Sequence, residues 1–245
     1  MIAADVYVGN ELVGHFSKRD DGLEEFAYVE SAGSLVATTL PIADGPYFSA
    51  GGALPPFFTN LLPEGRRLST LKRTVKASLD DELALLLAVG SDTIGDVSVL
   101  PHGQTPSPTT AAIDLDGELD FSGALARAGI ADPIAVPGVQ DKASARTIAA
   151  PVRGQSRDYI LKVSPPECPK LVENEKACFD IAKSAGYPLA EVQLLYDVHH
   201  RPGLLIPRFD REGDTRLHVE DAAQIMGLYP SGKYDPPMED VAQAL

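Results

Sequence analysis

Residues 4–17, ADVYVGNELVGHFS, alternate apolar and polar positions about Gly9 and Asn10, and FAYVE at 26–30 takes the alternation up again. A period of two belongs to strands with one face buried, and Gly-Asn suits a tight turn, so the chain is expected to open as an antiparallel meander. The period then changes. In SLDDELALLLAVG, residues 78–90, Ser78 can cap a helix, Asp80, Asp81 and Glu82 suit its positive end, and Gly90 suits its stop. One short buried helix is predicted there. PHGQTPSPTTAA at 101–112 holds three prolines amid Thr and Ser, which continue neither a helix nor a central strand, and reads as a linker or exposed loop.

Beyond the linker, SARTIAA (144–150) and RDYILKV (157–163) read as strands joined by a turn around Gly154. A helix is expected over 171–185, with Cys178, Ile181, Ala182 and Ala185 on one apolar face and Gly186 as its stop. AEVQLLYDV and GLLIPRFD read as two further strands around a turn holding His199, His200, Arg201, Pro202 and Gly203, and EDAAQIMG as a last helix. The fold class expected is α+β. Residues 1–110 would form a β-rich subdomain packed on a lobe of antiparallel strands with a helix, 120–245.

Composition narrows the function. The 245 residues hold 21 Lys and Arg against 35 Asp and Glu, for a net charge of -14. Between Ala77 and Ala126 stand nine acids and no Lys or Arg. Such a chain is poorly suited to neutralising a run of phosphates unaided, which demotes direct binding to nucleic acid. The longest apolar run, Leu83 to Val89, has 7 residues against the roughly 20 of a membrane span. Cys168 and Cys178 make neither a disulfide framework nor a four-ligand zinc site, and no basic segment precedes an apolar one at the start. The expectation is a cytoplasmic protein with reduced thiols and no membrane contact.

Chemistry concentrates in the second half. A glycine-containing loop, a strand, a strand with a central Lys, a helix with a Glu, then two strands is the order of a kinase-type N-lobe. In such a lobe loop amides cover phosphates, the Lys neutralises them and the Glu holds the Lys. Lys162, between Leu161 and Val163, and Glu175, 13 residues on, fit those roles. On spacing alone a solvent-facing lysine and a solvated glutamate are the more usual case, since charged residues are mostly exposed. The loop GVQDKAS matches neither G-x-x-x-x-G-K-[ST] nor G-x-G-x-x-G, and as a pattern it is a turn. His199 and His200 sit in a hairpin turn rich in Arg, Pro and Gly, so no metal is assigned to them. There is no G-x-S-x-G and no Cys with a local His, which leaves a hydrolase without support.

Taken together, PPFFTNLLPEG (55–65), PGVQDK (137–142), YILKV (159–163), VENE (172–175), PRFDR (207–211) and HVEDAAQIMGL with the trailing KYD (218–228, 233–235) resemble, in order and spacing, the HipA family of serine/threonine kinase toxins from bacterial toxin-antitoxin pairs. The resemblance runs over essentially the whole chain. It implies that Gly138, Val139, Gln140, Asp141 and Lys142 form a loop over the phosphates of ATP, and that Lys162 contacts those phosphates. Glu175 would orient Lys162, and Pro207, Arg208 and Phe209 would line the hinge that holds adenine. The first hundred residues would be the family's N-terminal subdomain, with FFTNLLPEG as a packing motif. The full form would use ATP and Mg²⁺ to phosphorylate a protein hydroxyl, with a translation component as target. A helix-turn-helix antitoxin of the HipB type would be the partner, and DNA would be met only through it.

Two departures qualify the resemblance. Where the family often carries a phosphorylated Ser three residues before the loop glycine, this chain has Ala135. The family's Asp-x-His-x-x-Asn catalytic loop and its later metal-holding Asp are absent from these 245 residues, so no catalytic residue and no metal ligand is assigned and this stretch is not expected to catalyse alone. Three readings therefore stand: the N-terminal part of a kinase toxin, a truncated non-catalytic module that docks an antitoxin or toxin, and a small-molecule kinase with the same lobe.

Overall fold

In a computed structural model the protein is described at residues 2–64, 68, 71–72, 75, 81–89, 93–107, 119–121, 148–153, 158–165, 168–213 and 215–245. It divides into two compact units, the first comprising Met1–Pro63, Lys72–Thr109 and Thr215–Leu245, the second Glu64–Leu71 and Thr110–Asp214. The sequence reading gave all of 120–245 to the second unit. The difference lies at Thr215–Leu245, whose polar side chains are bonded into the first.

The alternation at the start becomes β1 (Ile2–Val8) and β2 (Glu11–Lys18), turning at Gly9 with its positive φ of 57°, and continues into β3 (Glu24–Tyr28) and β4 (Tyr47–Ser49). β5 (Val97–Pro101) returns to pair with β1, so the sheet runs β4-β3-β2-β1-β5, every pair antiparallel. β5 takes up Pro101, so the expected linker begins inside a strand; residues 108–112 lie outside the described residues. β1 is therefore interior, and Ala4, Val6 and the acidic Asp5 are all buried. On the sheet, Phe16, Phe26 and Phe58 meet with ring centroids 4.7–5.4 Å apart, a mixture of edge-on and tilted contacts. Gly14 belongs here because a Cβ would come within 2.7 Å of the Ala27 carbonyl oxygen and of the Phe26 ring.

The helix expected at 78–90 is α2 (Glu82–Val89), following the single turn α1 (Pro56–Thr59). Asp81 caps α2 by accepting from the Ala84 amide at 3.1 Å; Ser78 and Gly90 lie outside the described residues. Glu82 reaches back, its Oε2 accepting from the Leu54 amide at 2.8 Å and the Thr59 hydroxyl at 2.7 Å. The FFTN motif is thereby fixed between α2 and the chain's last segment. There Asn60 Nδ2 donates to the Leu228 carbonyl at 2.8 Å, and Gln224 Nε2, in the short helix α4 (Ala222–Ile225), donates to that of Phe57 at 3.1 Å. Asp221 and Gln224 close a capping box on α4. Arg216 adds bonds to the Gly95 carbonyl and the Ser98 hydroxyl, at 2.8 and 2.7 Å.

The second unit contains a four-stranded antiparallel sheet ordered β6 (Ile148–Arg153), β7 (Asp158–Val163), β9 (Pro202–Pro207), β8 (Gln193–Tyr196). Its helix, α3, spans Leu171–Ser184. Here the expected apolar stripe is corrected. Ile181 is 68% exposed, Cys178 and Ala185 are exposed too, and the buried residue of α3 is Val172. Periodicity identifies residues that share a stripe, but burial needs a covering element, and among the described residues none covers that stripe. Within the described residues, no helix is long and apolar enough to cross a membrane.

Candidate functional site

Residues paired across a ladder share a face, and β7 and β9 pair Lys162 with Leu204 and Val163 with Gly203. Leu161, Val163 and Gly203 therefore face one side, against the buried Phe121, while Lys162 and Leu204 face the other. Gly203 is required on the first side, since a Cβ would lie 2.7 Å from the Phe121 ring and 2.9 Å from Leu161. On the second side Lys162 meets α3.

The meeting is direct. Lys162 Nζ donates to Glu175 Oε1 at 2.6 Å, with the two side chains 29% and 27% exposed. Ser164, next but one along the chain from Lys162, accepts from the Val172 amide at 3.1 Å and so ties the first turn of α3 to the end of β7. Glu175 lies one helical turn beyond Val172, so this short connection fixes the height at which its carboxylate meets Lys162. A half-buried ammonium held by one carboxylate keeps other N–H donors for an incoming anion.

At the other end of β9, Pro207 closes the strand opposite Tyr159. Arg208 is buried with Asp210, its Nε and Nη2 donating to the two carboxylate oxygens at 2.9 and 2.6 Å, and Arg211 Nη1 joins at 2.6 Å. This bidentate clamp fixes the backbone of 207–211. Phe209 points outward, 68% exposed. The turn between β8 and β9 is organised by buried Asp197, which accepts from the His199 and Arg201 amides, each at 2.9 Å, and from the Arg201 guanidinium. Burial pushes the Asp197 carboxyl up, but those bonds outweigh it and hold it below the usual carboxylate range. His199 thus contributes its amide to a turn.

The structure brings Lys162 and Glu175 together and holds Pro207, Arg208 and Phe209 at the end of the adjoining strand. Gly138, Val139, Gln140, Asp141, Lys142 and Ala135 lie outside the described residues. Sequence reasoning missed Ser164 and Asp210. A polar residue closing a strand just before a helix was the available signal for the first, and the charge alternation in Arg208, Asp210 and Arg211 for the second.

Two family models match this chain: the HipA N-terminal domain over residues 4–100 and the HipA-like C-terminal domain over 134–245. A Sinorhizobium fredii protein provisionally named as a kinase, Y4dM, is 30% identical over 74% of this chain and 47% of its own length. The serine/threonine-protein kinase toxin HipA of Shewanella oneidensis MR-1 is 26% identical over 96% of this chain and 57% of its own. The chain spans about half the length of these curated relatives. In fold, it is similar to a chain of the solved complex of Shewanella oneidensis MR-1 HipA, HipB and operator DNA, with a TM-score of 0.71 and 22% identity, covering 98% of this chain and 60% of that one. With its two halves matched in order by the two HipA domain models, the chain belongs to the HipA family.

Proposed function

We propose that this chain carries the nucleotide-binding part of a HipA-like serine/threonine kinase, which moves the γ-phosphoryl group of ATP to a protein hydroxyl. The observation that carries the reading is the Lys162–Glu175 pair, which supplies a cation on a strand and a helix carboxylate to aim it. Lys162 would compensate phosphate charge, Glu175 would hold the ammonium in place, and the clamped backbone at Pro207–Phe209 would border the base. Gly138–Lys142 would cover the phosphates. Glu175 is engaged by Lys162 and no described residue is assigned as a ligand for Mg²⁺, which would supply further positive charge for the phosphates when bound with ATP. The proposed substrate is a protein of the translation apparatus. The proposed partner is a helix-turn-helix antitoxin of the HipB type that makes the DNA contact itself, which suits a net charge of -14.

The test is covalent capture, which registers weak sites: treat the chain with an acyl-phosphate derivative of ATP that transfers its label to a nearby lysine, then map the label by mass spectrometry. Lys162 is expected to be labelled and protected by excess ATP. A Lys162 labelled no more than the other lysines, and unaffected by ATP, would overturn the reading and favour a docking module.

A further inference from the structure

A second cluster of chemistry lies in the first unit. Asp5 on β1 stands opposite His15 on β2 and opposite Leu100 on β5, and His102 follows Leu100 by two residues. Cross-strand pairing puts Asp5 and His15 on one face of the sheet, and the turn that follows β5 brings His102 to the same carboxylate. His15 Nδ1 and His102 Nδ1 both approach Asp5 Oδ1, at 2.7 and 2.8 Å. Asp5 Oδ2 is taken by the Gly103 amide at 2.8 Å, which fixes the carboxylate and leaves Oδ1 to the imidazoles. The rings stand at 82° to each other with centroids 5.8 Å apart. All three donor atoms lie within 4.8 Å of one another.

We propose that Asp5, His15 and His102 bind one divalent transition-metal ion of the Zn²⁺ type. Two imidazole nitrogens and one monodentate carboxylate oxygen match the borderline donor set of Zn²⁺, Co²⁺ and Ni²⁺, whereas Mg²⁺ and Ca²⁺ favour oxygen alone. The amide of Gly103 on the far carboxylate oxygen is the outer contact that orients such a ligand. Exposure is graded in the right sense: the Asp5 side chain is 4% exposed, His15 25% and His102 53%, so the carboxylate forms the floor and water reaches the mouth as a fourth ligand. In a tetrahedral site with bonds of 2.0–2.1 Å the donor atoms stand about 3.3 Å apart. The ion would therefore enter by spreading the present contacts by roughly half an ångström. Each neutral imidazole then carries its proton on Nε2, and the metal replaces the two Nδ1 protons that now bind the cluster. Such an ion would clip β1 and β2 to the turn that follows β5.

The whole chain, stripped with a chelator and desalted, is titrated with ZnCl2 by calorimetry and with CoCl2 by visible absorption. One equivalent is expected to bind, Co²⁺ giving the intense bands of four-coordinate N/O ligation. His102→Gln and His15→Gln should each weaken binding at least tenfold, while the double variant His199→Gln/His200→Gln should bind as wild type does. His102 lies in an exposed turn, so its variant decides the matter even if His15→Gln disturbs the sheet. No uptake by wild type, or uptake unchanged in His102→Gln, overturns the proposal. The outcome is independent of whether the second unit binds ATP.

Discussion

The two units bury aromatic surface and charge in different proportions. In the first, Phe16, Phe26, Phe57 and Phe58 are at most 1% exposed and pack with Val6, Val13, Leu54 and Leu86 into one apolar body. In the second, Leu161, Val172, Leu204 and Leu205 share the described interior with buried charges, Arg208 with Asp210 and Asp197 beneath Arg201. Apolar burial is favourable wherever atoms pack, whereas a buried ion pair stabilises little and is costly to break. Both units bury carboxylates, Asp5, Glu24 and Asp96 in the first and Asp197 and Asp210 in the second, but the first sets them beside a large aromatic cluster, so volume carries more of the first and particular atoms in particular places carry more of the second. A lobe of the second kind can hold a lysine in a defined direction.

The comparison can be broken by substitution. The largest effect is expected from Phe58→Ala, which empties the meeting point of three rings and should destabilise the first unit by about 3–5 kcal/mol in denaturant unfolding. A cost below about 1 kcal/mol would deny that volume holds it. Asp210→Ala should cost the second unit about 3 kcal/mol, because Arg208 would remain buried without its carboxylate, and Asp210→Asn should recover only part of that. Gly203→Ala should cost about 1–3 kcal/mol by forcing a methyl group against Phe121 and Leu161.

A smaller effect is expected from pH. The hydrogen bond from His218 Nδ1 to Asp96 raises the imidazole above its usual range, burial opposes this, and the Asp96 charge and Glu220 add to the rise. A pKa raised by folding means that the stabilisation is complete below the unfolded value of about 6.5 and is lost as pH rises through the folded value. Melting temperature should therefore fall from about pH 6 to 8 more steeply for wild type than for His218→Gln. Parallel curves would remove His218 from the account.

How much of this was legible in the sequence followed from sequence distance. The β1–β2 turn at Gly9-Asn10 and the Lys162–Glu175 pair are local; alternation predicted the first, and the order of strand, helix and motif, rather than spacing alone, predicted the second. β5 was missed because its partner is β1, and the Asp5–His102 contact spans 97 positions. The C-terminal segment's place was hidden for the same reason: Thr38 and Glu220, 182 positions apart, join through the Thr38 amide and hydroxyl. The stripe on α3 failed differently, since periodicity records a face and not what covers it.

The central claim is that Lys162 and Glu175 act as one phosphate-facing unit, and a double-mutant cycle on the affinity for Mg²⁺ and ATP tests it most directly. Wild type, Lys162→Met, Glu175→Gln and the double variant are titrated, with chemical-shift perturbation as the readout because it measures weak affinities. Each single change should weaken binding, and the double variant should be little worse than Lys162→Met alone, for a coupling of about 1 kcal/mol or more. Losses that simply add, or a Glu175→Gln protein that binds as wild type does, would contradict it.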